Sequence, residues 1–346
     1  MAKIIYGVAG QGFGHSTRSK EIIRFLVSQG HQVLVFTYGQ ALFFLDKDFE
    51  VVEIPGLGLT YENNKLVYWK TVFKNTKVVF KQSRNWKKIT KKFKDFNPDL
   101  VFTDFEPITA LLAKQYKKHL ISIDNQHQLT NSLIEVPDDC RKDFVMDKLI
   151  IKSMVWGADY YLATSFFQTK VIKKNTFIFT PILRQEILDL HTNKEKYILV
   201  YQTSSFNGLI EVLKKFSNYK FVLFGLNKEA VEDNIEYKNY SSHEWLRYLA
   251  NCQAIIGNAG LSLISEALHL KKPYLAIPIK KQTEQIINAQ YLQRKGYGLF
   301  TYKLTPDDFN EFIGNLPKYE KNLEEYNRQD NSAIFEKIKE IINNFS

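Results

Sequence analysis

What most restricts the fold of this chain is a rhythm that runs twice. Short, almost wholly apolar runs alternate with stretches of helical period. In the first half the runs are Lys3–Ala9, Gln32–Thr37, Glu50–Ile54, Asp99–Thr103 and His119–Asp124. Between them lie helical patterns such as Ser16–Gln29, where Ile22, Ile23, Leu26 and Val27 share a face, and Pro107–Tyr116. A strand without polar alternation is buried on both faces, which is the condition of a parallel sheet covered by helices. The rhythm restarts with Tyr197–Tyr201, Lys220–Phe224, Ala254–Gly257 and Tyr274–Ile277 as strands. Phe206–Phe216, Ser242–Ala250, Gly260–His269 and Thr283–Lys295 are the matching helices. The pattern predicts an α/β protein of two doubly wound parallel-sheet domains, 1–180 and 181–330, joined after the strand Thr176–Phe179. A further amphipathic helix, Asn331–Asn344, is expected to pack back on the first domain. Ligands of such folds sit beyond the carboxyl ends of the strands, so a cleft between the two sheets is the expected site.

The net charge of +10 is local. Lys65–Lys94 holds eleven Lys and Arg and no acid, leaving the rest of the chain at −1. Tyr68, Trp69, Phe73, Phe80, Trp86 and Phe93 interleave with these cations. Three readings stay open: a helix with its apolar side on the domain, a contact with an anionic membrane, or a nucleic-acid patch. No recognised nucleic-acid motif accompanies the stretch, so nucleic acid is the least favoured partner. The opening MAKIIYGVAG is too short an apolar run for a signal peptide, and Cys140 and Cys252 form no metal-type pair. A cytoplasmic protein, peripheral on the membrane if the basic stretch touches lipid, is the expectation.

After the first strand comes GVAGQGFGHSTRS, residues 7–19. Gly10, Gly12 and Gly14 permit a tight strand-to-helix turn with exposed amides. A dinucleotide site is disfavoured, because the spacing is G-x-G-x-G and no acid follows the second strand. In the usual strand order 3-2-1-4-5 the first and fourth strands are neighbours, so His15 and Asp104 would emerge side by side. A carboxylate behind an imidazole fixes one tautomer, which suits a general base. Asp104 as a helix cap before Pro107 is the competing reading, and Glu106 is an alternative partner.

The second half ends in GNAGLSLISEALHLKKPYLAIPIKKQTEQIINAQ, residues 257–290. A glycine turn opens a helix at Gly260, and the amides of Leu261 and Ser262 suit a diphosphate without a metal. Glu266 lies about a turn and a half further on, placed to accept from ribose hydroxyls. Gln282, Gln285 and Asn288 are amides that can read hydroxyls without charge.

These strings resemble the GT-B glycosyltransferases around glycosyltransferase family 28, the MurG-like enzymes, and more closely a bacterial and archaeal subgroup. The resemblance covers nearly the whole chain. It implies two Rossmann-like domains, a nucleotide-sugar donor, expected to be a UDP-sugar, and no cofactor. GQGFGHSTRS is similar to the family's glycine loop ending in histidine. TDFEP (103–107) and SIDNQHQLT (122–130) resemble acceptor-side segments, which places Gly12, Gly14, Glu106, Asn125 and His127 there. For His127 an ordinary hydrogen-bonded loop position is the alternative. PILR (181–184) resembles the segment whose arginine, here Arg184, approaches the donor phosphates. YQTSS (201–205) stands at a second phosphate-facing loop, which implicates Thr203 and Ser204. NAGLSLISEAL matches the donor helix with Glu266 on the ribose.

The expected reaction is an inverting, metal-independent hexosyl or N-acetylhexosaminyl transfer to a hydroxyl acceptor, lipid-linked or a glycolipid. His15 would be the base, Asp104 its partner. Alternatives are a UDP-sugar 2-epimerase, a non-enzymatic sugar-nucleotide sensor and a nucleic-acid binder. The adjacent acids Asp138–Asp139 and Asp307–Asp308 give no D-x-D metal signature.

Overall fold

A computed structural model describes residues 1–56, 61–62, 65–66, 83–202, 208–328 and 330–345. The chain forms two compact units. One comprises Met1–Glu62, Leu66–Arg184 and Asp330–Ser346; the other comprises Asn63–Lys65 and Gln185–Gln329.

The first unit is built on seven parallel strands: Lys3–Val8 (β1), Gln32–Thr37 (β2), Val51–Glu53 (β3), Leu100–Asp104 (β4), His119–Asp124 (β5), Tyr160–Thr164 (β6) and Thr176–Phe179 (β7). Their order across the sheet is β3-β2-β1-β4-β5-β6-β7. Successive side chains of a strand face opposite ways, so each strand feeds two cores. Ile4, Tyr6 and Val8 pack with Ile22, Ile23 and Leu26 of the helix Phe13–Ser28. Ile5, Leu34, Phe36 and Val101 pack with Ile108, Leu112 and Ala113 of the helix Pro107–Gln115.

The second unit repeats the plan with Tyr197–Tyr201 (β8), Lys220–Phe224 (β9), Ala230–Glu232 (β10), Ile235–Lys238 (β11), Ala254–Gly257 (β12), Tyr274–Ala276 (β13) and Gly298–Phe300 (β14). The order is β10-β11-β9-β8-β12-β13-β14, with only the edge pair β10–β11 antiparallel. Ile198, Val200, Phe221 and Ile256 face Phe309, Phe312, Leu316 and Tyr319 of the helices Pro306–Gly314 and Leu316–Glu324.

Several elements depart from the sequence reading. The first helix starts at Phe13 rather than Ser16, because Gly12 turns the chain with φ near +80° and serves as its N-cap. His15 therefore belongs to the first helical turn. The strands β6, β10, β11 and β14 and the helix Arg141–Met154 were not anticipated. In the basic stretch, the helix Ser83–Phe96 buries Ile89 and Phe93 and packs Trp86 and Phe96 on the same core as β1 and β4. Lys87, Lys88, Lys91, Lys92 and Lys94 stay exposed. Trp86 and Phe93 are thus core residues, not a lipid face. Tyr68, Trp69, Phe73 and Phe80 lie outside the described residues. Among the described residues no helix is long and apolar enough to cross a membrane.

The helix Ser332–Phe345 places Ile334, Ile338, Ile341 and Ile342 in the core of the first unit. Phe335 stacks on Phe25 with ring centroids 4.1 Å apart. Asn331 anchors its start by accepting from the Leu183 amide and donating to the Leu183 carbonyl, at 3.0 and 2.7 Å. Ile338→Ala removes a fully buried side chain and should cost about 2–5 kcal/mol. Thermal unfolding would show a lowered first-unit transition. An unchanged transition would mean that the helix contributes nothing to that core.

Candidate active site

At the reversal of strand order in the first unit, Val8 of β1 lies opposite Asp104 of β4. This is the switch point where open α/β sheets place ligands. The turn after β1 depends on its glycines. A Cβ at Gly10 would stand 2.0 Å from the Tyr38 carbonyl oxygen, so no larger residue fits there. Gly12 is exposed at the helix start, and Gly14 follows inside the first turn.

His15 comes off that turn with its side chain 16% exposed, against 0% for Asp104. Its Nδ1 donates to Asp104 Oδ1 at 2.7 Å. With its hydrogen on Nδ1 facing the carboxylate, the neutral ring keeps its lone pair on Nε2. Arg18 Nη2, 2.8 Å from Nδ1, then turns its own hydrogen to Asp104 Oδ1. Asp104 also accepts from Arg18 Nε at 2.7 Å, Arg18 Nη2 at 2.5 Å and Ser19 Oγ at 2.9 Å. Burial pushes the Asp104 carboxyl up, yet the Arg18 guanidinium and His15 outweigh it and hold the group below its usual range. Arg18 further donates through Nη1 to Asn125 Oδ1 at 2.7 Å. The Phe105 ring stacks beside His15 with centroids 6.4 Å apart, its backbone held in the left-handed region at φ +55°.

Two acceptor-side expectations are corrected here. Glu106 is fully buried and caps the helix Pro107–Gln115: its carboxylate accepts from the Ile108 and Thr109 amides at 2.8 and 2.7 Å and from Thr109 Oγ1 at 2.7 Å. It neither partners His15 nor reaches solvent. The cap and the partner are thus two residues, Glu106 and Asp104. His127 is enclosed as well. Its Nδ1 lies 2.6 Å from Asp124 Oδ2 and its Nε2 3.1 Å from the Val155 carbonyl oxygen, so no ring nitrogen is left for an acceptor. Asp124 also accepts from the His127 amide and from Ser122 Oγ, at 2.8 and 2.6 Å. Burial opposes the Asp124 charge, but His127 and these donors hold its carboxyl at about 2. Asn125, buried, is engaged by Arg18.

The switch point of the second unit pairs Tyr201 of β8 with Gly257 of β12. Gly260 is the N-cap of the helix Leu261–His269, and no side chain caps that helix. A Cβ at Gly260 would meet nothing within 4 Å. Among the described residues no side chain caps the first amides of this helix, those of Leu261 and Ser262, and such amides suit an anion. Two buried donors hold the turn from behind: Tyr274 Oη to the Asn258 carbonyl at 2.6 Å and Asn288 Nδ2 to the Ala259 carbonyl at 3.1 Å. Asn288, buried, spends one of its amide hydrogens on this contact. Glu266 lies in the same helix, 9% exposed. Burial raises the Tyr201 hydroxyl, with smaller contributions from Tyr240 and Glu266. Gln282 is the N-cap residue of the helix Thr283–Arg294. Gln285 accepts from the Ile279 amide at 3.0 Å through Oε1, and its NH2 has no partner among the described residues. Arg184, half-buried, is the last residue of the first unit before Gln185. Thr203 and Ser204 lie outside the described residues. Among those residues there is no group of three or more His, Cys, Asp or Glu able to hold a metal ion.

Arg18 and Ser19 escaped the sequence reading. Their spacing of three and four from His15 puts them on the same helix face, a signal present in HSTRS itself.

Burial lifts the Glu106 carboxyl from the usual 4.5 to about 7, against three hydrogen bonds from Ile108 and Thr109 that favour its charge. A raised carboxyl stabilises the fold fully below pH 4.5, and that contribution is lost as pH rises through 7. Against Glu106→Gln, wild type should therefore lose up to about 3 kcal/mol of relative stability over this window. Urea unfolding at pH 4.5 and 8 checks this; a gap that does not change with pH would contradict it.

The family model described as Glycosyl transferase family 1 matches residues 2–317. A Methanosarcina acetivorans protein named "Uncharacterized glycosyltransferase" is 22% identical over 339 residues, 90% of this chain and 89% of its own. A Bacillus cereus UDP-N-acetylglucosamine--N-acetylmuramyl-(pentapeptide) pyrophosphoryl-undecaprenol N-acetylglucosamine transferase is 31% identical over 150 residues, 40% of this chain and 41% of its own. Among solved structures, the glycotransferase of kitacinnamycin superposes with a TM-score of 0.71 at 16% identity over 99% of both chains. MurG of Acinetobacter baumannii gives 0.61 at 14% identity, over 98% of this chain and 100% of its own. Such structural likeness establishes the GT-B fold, and the family match covers most of the sequence. The chain belongs to glycosyl transferase family 1 and is a glycosyltransferase.

Proposed function

We propose that this glycosyltransferase works with inversion and without a metal ion, moving a sugar from a UDP-sugar to a hydroxyl acceptor. The observation that carries the reading is the His15–Asp104 pair at 2.7 Å, with the imidazole partly open to solvent. Nε2 takes the acceptor proton as the freed oxygen attacks the anomeric carbon from the face opposite the diphosphate. The bond from that carbon to the diphosphate breaks, and the electron pair leaves with the diphosphate. The helix amides of Leu261 and Ser262 meet the leaving charge, with Arg184 as a further counter-charge. Glu266 accepts from ribose hydroxyls, and Gln282 and Gln285 bind sugar hydroxyls through their amides. UDP is chosen because the Bacillus cereus relative is named for UDP-N-acetylglucosamine.

The acceptor is proposed to be lipid-linked and the protein peripheral on an anionic membrane. An exposed apolar stripe on the first unit supports this better than Trp86 and Phe93 of the basic stretch, which pack on the core. Val145, Met146 and Leu149 of the helix Arg141–Met154, with Trp156 beyond its end, stand exposed among Arg141, Lys142 and Lys152. Exposed apolar side chains of this kind fit the lipid interface. Arg141 is paired with Asp138 at 2.8 Å, which leaves the lysines to meet anionic headgroups.

His15→Ala should lower transfer by about a hundredfold or more while a nucleotide sugar still raises the melting temperature. Glu266→Ala should do the reverse, weakening that thermal shift first. Activity of His15→Ala within a few fold of wild type would remove His15 as the base. Val145→Glu with Leu149→Glu should lower binding to phosphatidylglycerol vesicles in co-sedimentation and leave transfer to a soluble acceptor intact; equal vesicle binding would refute the membrane surface.

A further inference from the structure

Asp104 must meet two opposed demands. It has to be ionised to hold the His15 tautomer, and it has no exposure to water. A buried carboxylate facing only an imidazole would draw a second proton onto that ring and lock it as an ion pair. A ring so locked has no lone pair on Nε2 and cannot act as a base.

The side chain that changes this balance is Arg18, 8% exposed, three residues beyond His15 on the same helix. Its planar fork meets both carboxylate oxygens, Nε to Oδ2 and Nη2 to Oδ1, while Nη1 is fixed by Asn125. Nη2 also stands 2.8 Å from His15 Nδ1. That distance places a permanent positive charge against the ring, so a proton added at Nε2 in the resting state would be repelled.

We propose that Arg18 is the positioning residue of the pair: it carries the charge of Asp104, so the carboxylate orients His15 without capturing it as an imidazolium. This rests on His15 as the base. Among the described residues, the other groups around the pair are neutral, acidic or engaged elsewhere. Ser19 is neutral, and Tyr6 presents a buried phenol whose burial keeps it protonated. Glu106 is turned to its own helix amides. Asp124 and His127, at the end of β5, answer each other. Phe105 adds a ring face with no formal charge.

The test compares Arg18→Met and Arg18→Lys with wild type, using ring-labelled histidine and NMR at pH 7 without substrate, His15 assigned by His15→Ala. Arg18→Met should move the His15 ring signals to those of a charged imidazole, and Arg18→Lys should leave them near wild type. With donor and acceptor present, Arg18→Met should lose about 10- to 100-fold in kcat with donor KM little changed. Raising the pH from 7 to 9 should recover part of that loss. Unmoved ring signals in folded Arg18→Met, or a kcat loss of the same size at every pH, would overturn the proposal. If Arg18→Met does not fold, Arg18→Lys decides: a charged-ring signal there overturns it, and a wild-type signal supports it. Should no donor be turned over by wild type, the proposed function fails, while the ring signals still judge Arg18.

Discussion

A carboxylate without access to water governs the first unit. Asp104 ends the strand beside β1, and charge in that position is tolerated only because four donor atoms converge on it. Three of the four residues involved, His15, Arg18 and Ser19 with Asp104 as their focus, come from one helix face. Arg18 extends the tie to Asn125 at the end of the next strand. The network therefore fixes the helix Phe13–Ser28 against the switch point, and the His15 ring inherits its orientation from the buried groups behind it.

The turn of the second unit is built by different means. Its turn offers bare amides, no capping side chain and open space at Gly260. Rigidity comes from behind, where Tyr274 and Asn288 grip the carbonyls of Asn258 and Ala259. A proton transfer needs one atom with a defined lone pair, whereas a diphosphate is met by several weak dipoles at once. The same fold plan thus carries a concentrated charge at one reversal of strand order and a diffuse field at the other.

Much of this was legible in the sequence. Gln32–Thr37, His119–Asp124, Tyr197–Tyr201, Lys220–Phe224 and Ala254–Gly257 are strands with the bounds expected of them, because a run buried on both faces is apolar without interruption. The meeting of His15 and Asp104 followed from strand order alone. Edge elements were harder to read. In β11 apolar and charged residues alternate over four residues, and β10 is three residues long with Val231 exposed. Arg18 reads locally as a solvent-facing helix residue, since its burial is decided by a carboxylate 86 positions away. His127 stands in a polar string, yet Tyr161 and Val155 enclose it from far along the chain. Composition shows which side chains are polar; it does not show which polar groups the fold will spend on one another.

The return of Ser332–Phe345 to the first unit has a consequence for the order of assembly. One face of the first sheet, with Ile4, Tyr6 and Leu100, is covered by isoleucines that follow the whole of the second unit in sequence. During synthesis the part of that face that the helix Phe13–Ser28 leaves uncovered has to wait while 185–329 emerge and close around their own core. The amino-terminal half is made first and finished last, and a ribosome that stalls short of Ile334 releases a chain with an open greasy sheet, a substrate for chaperones or for aggregation.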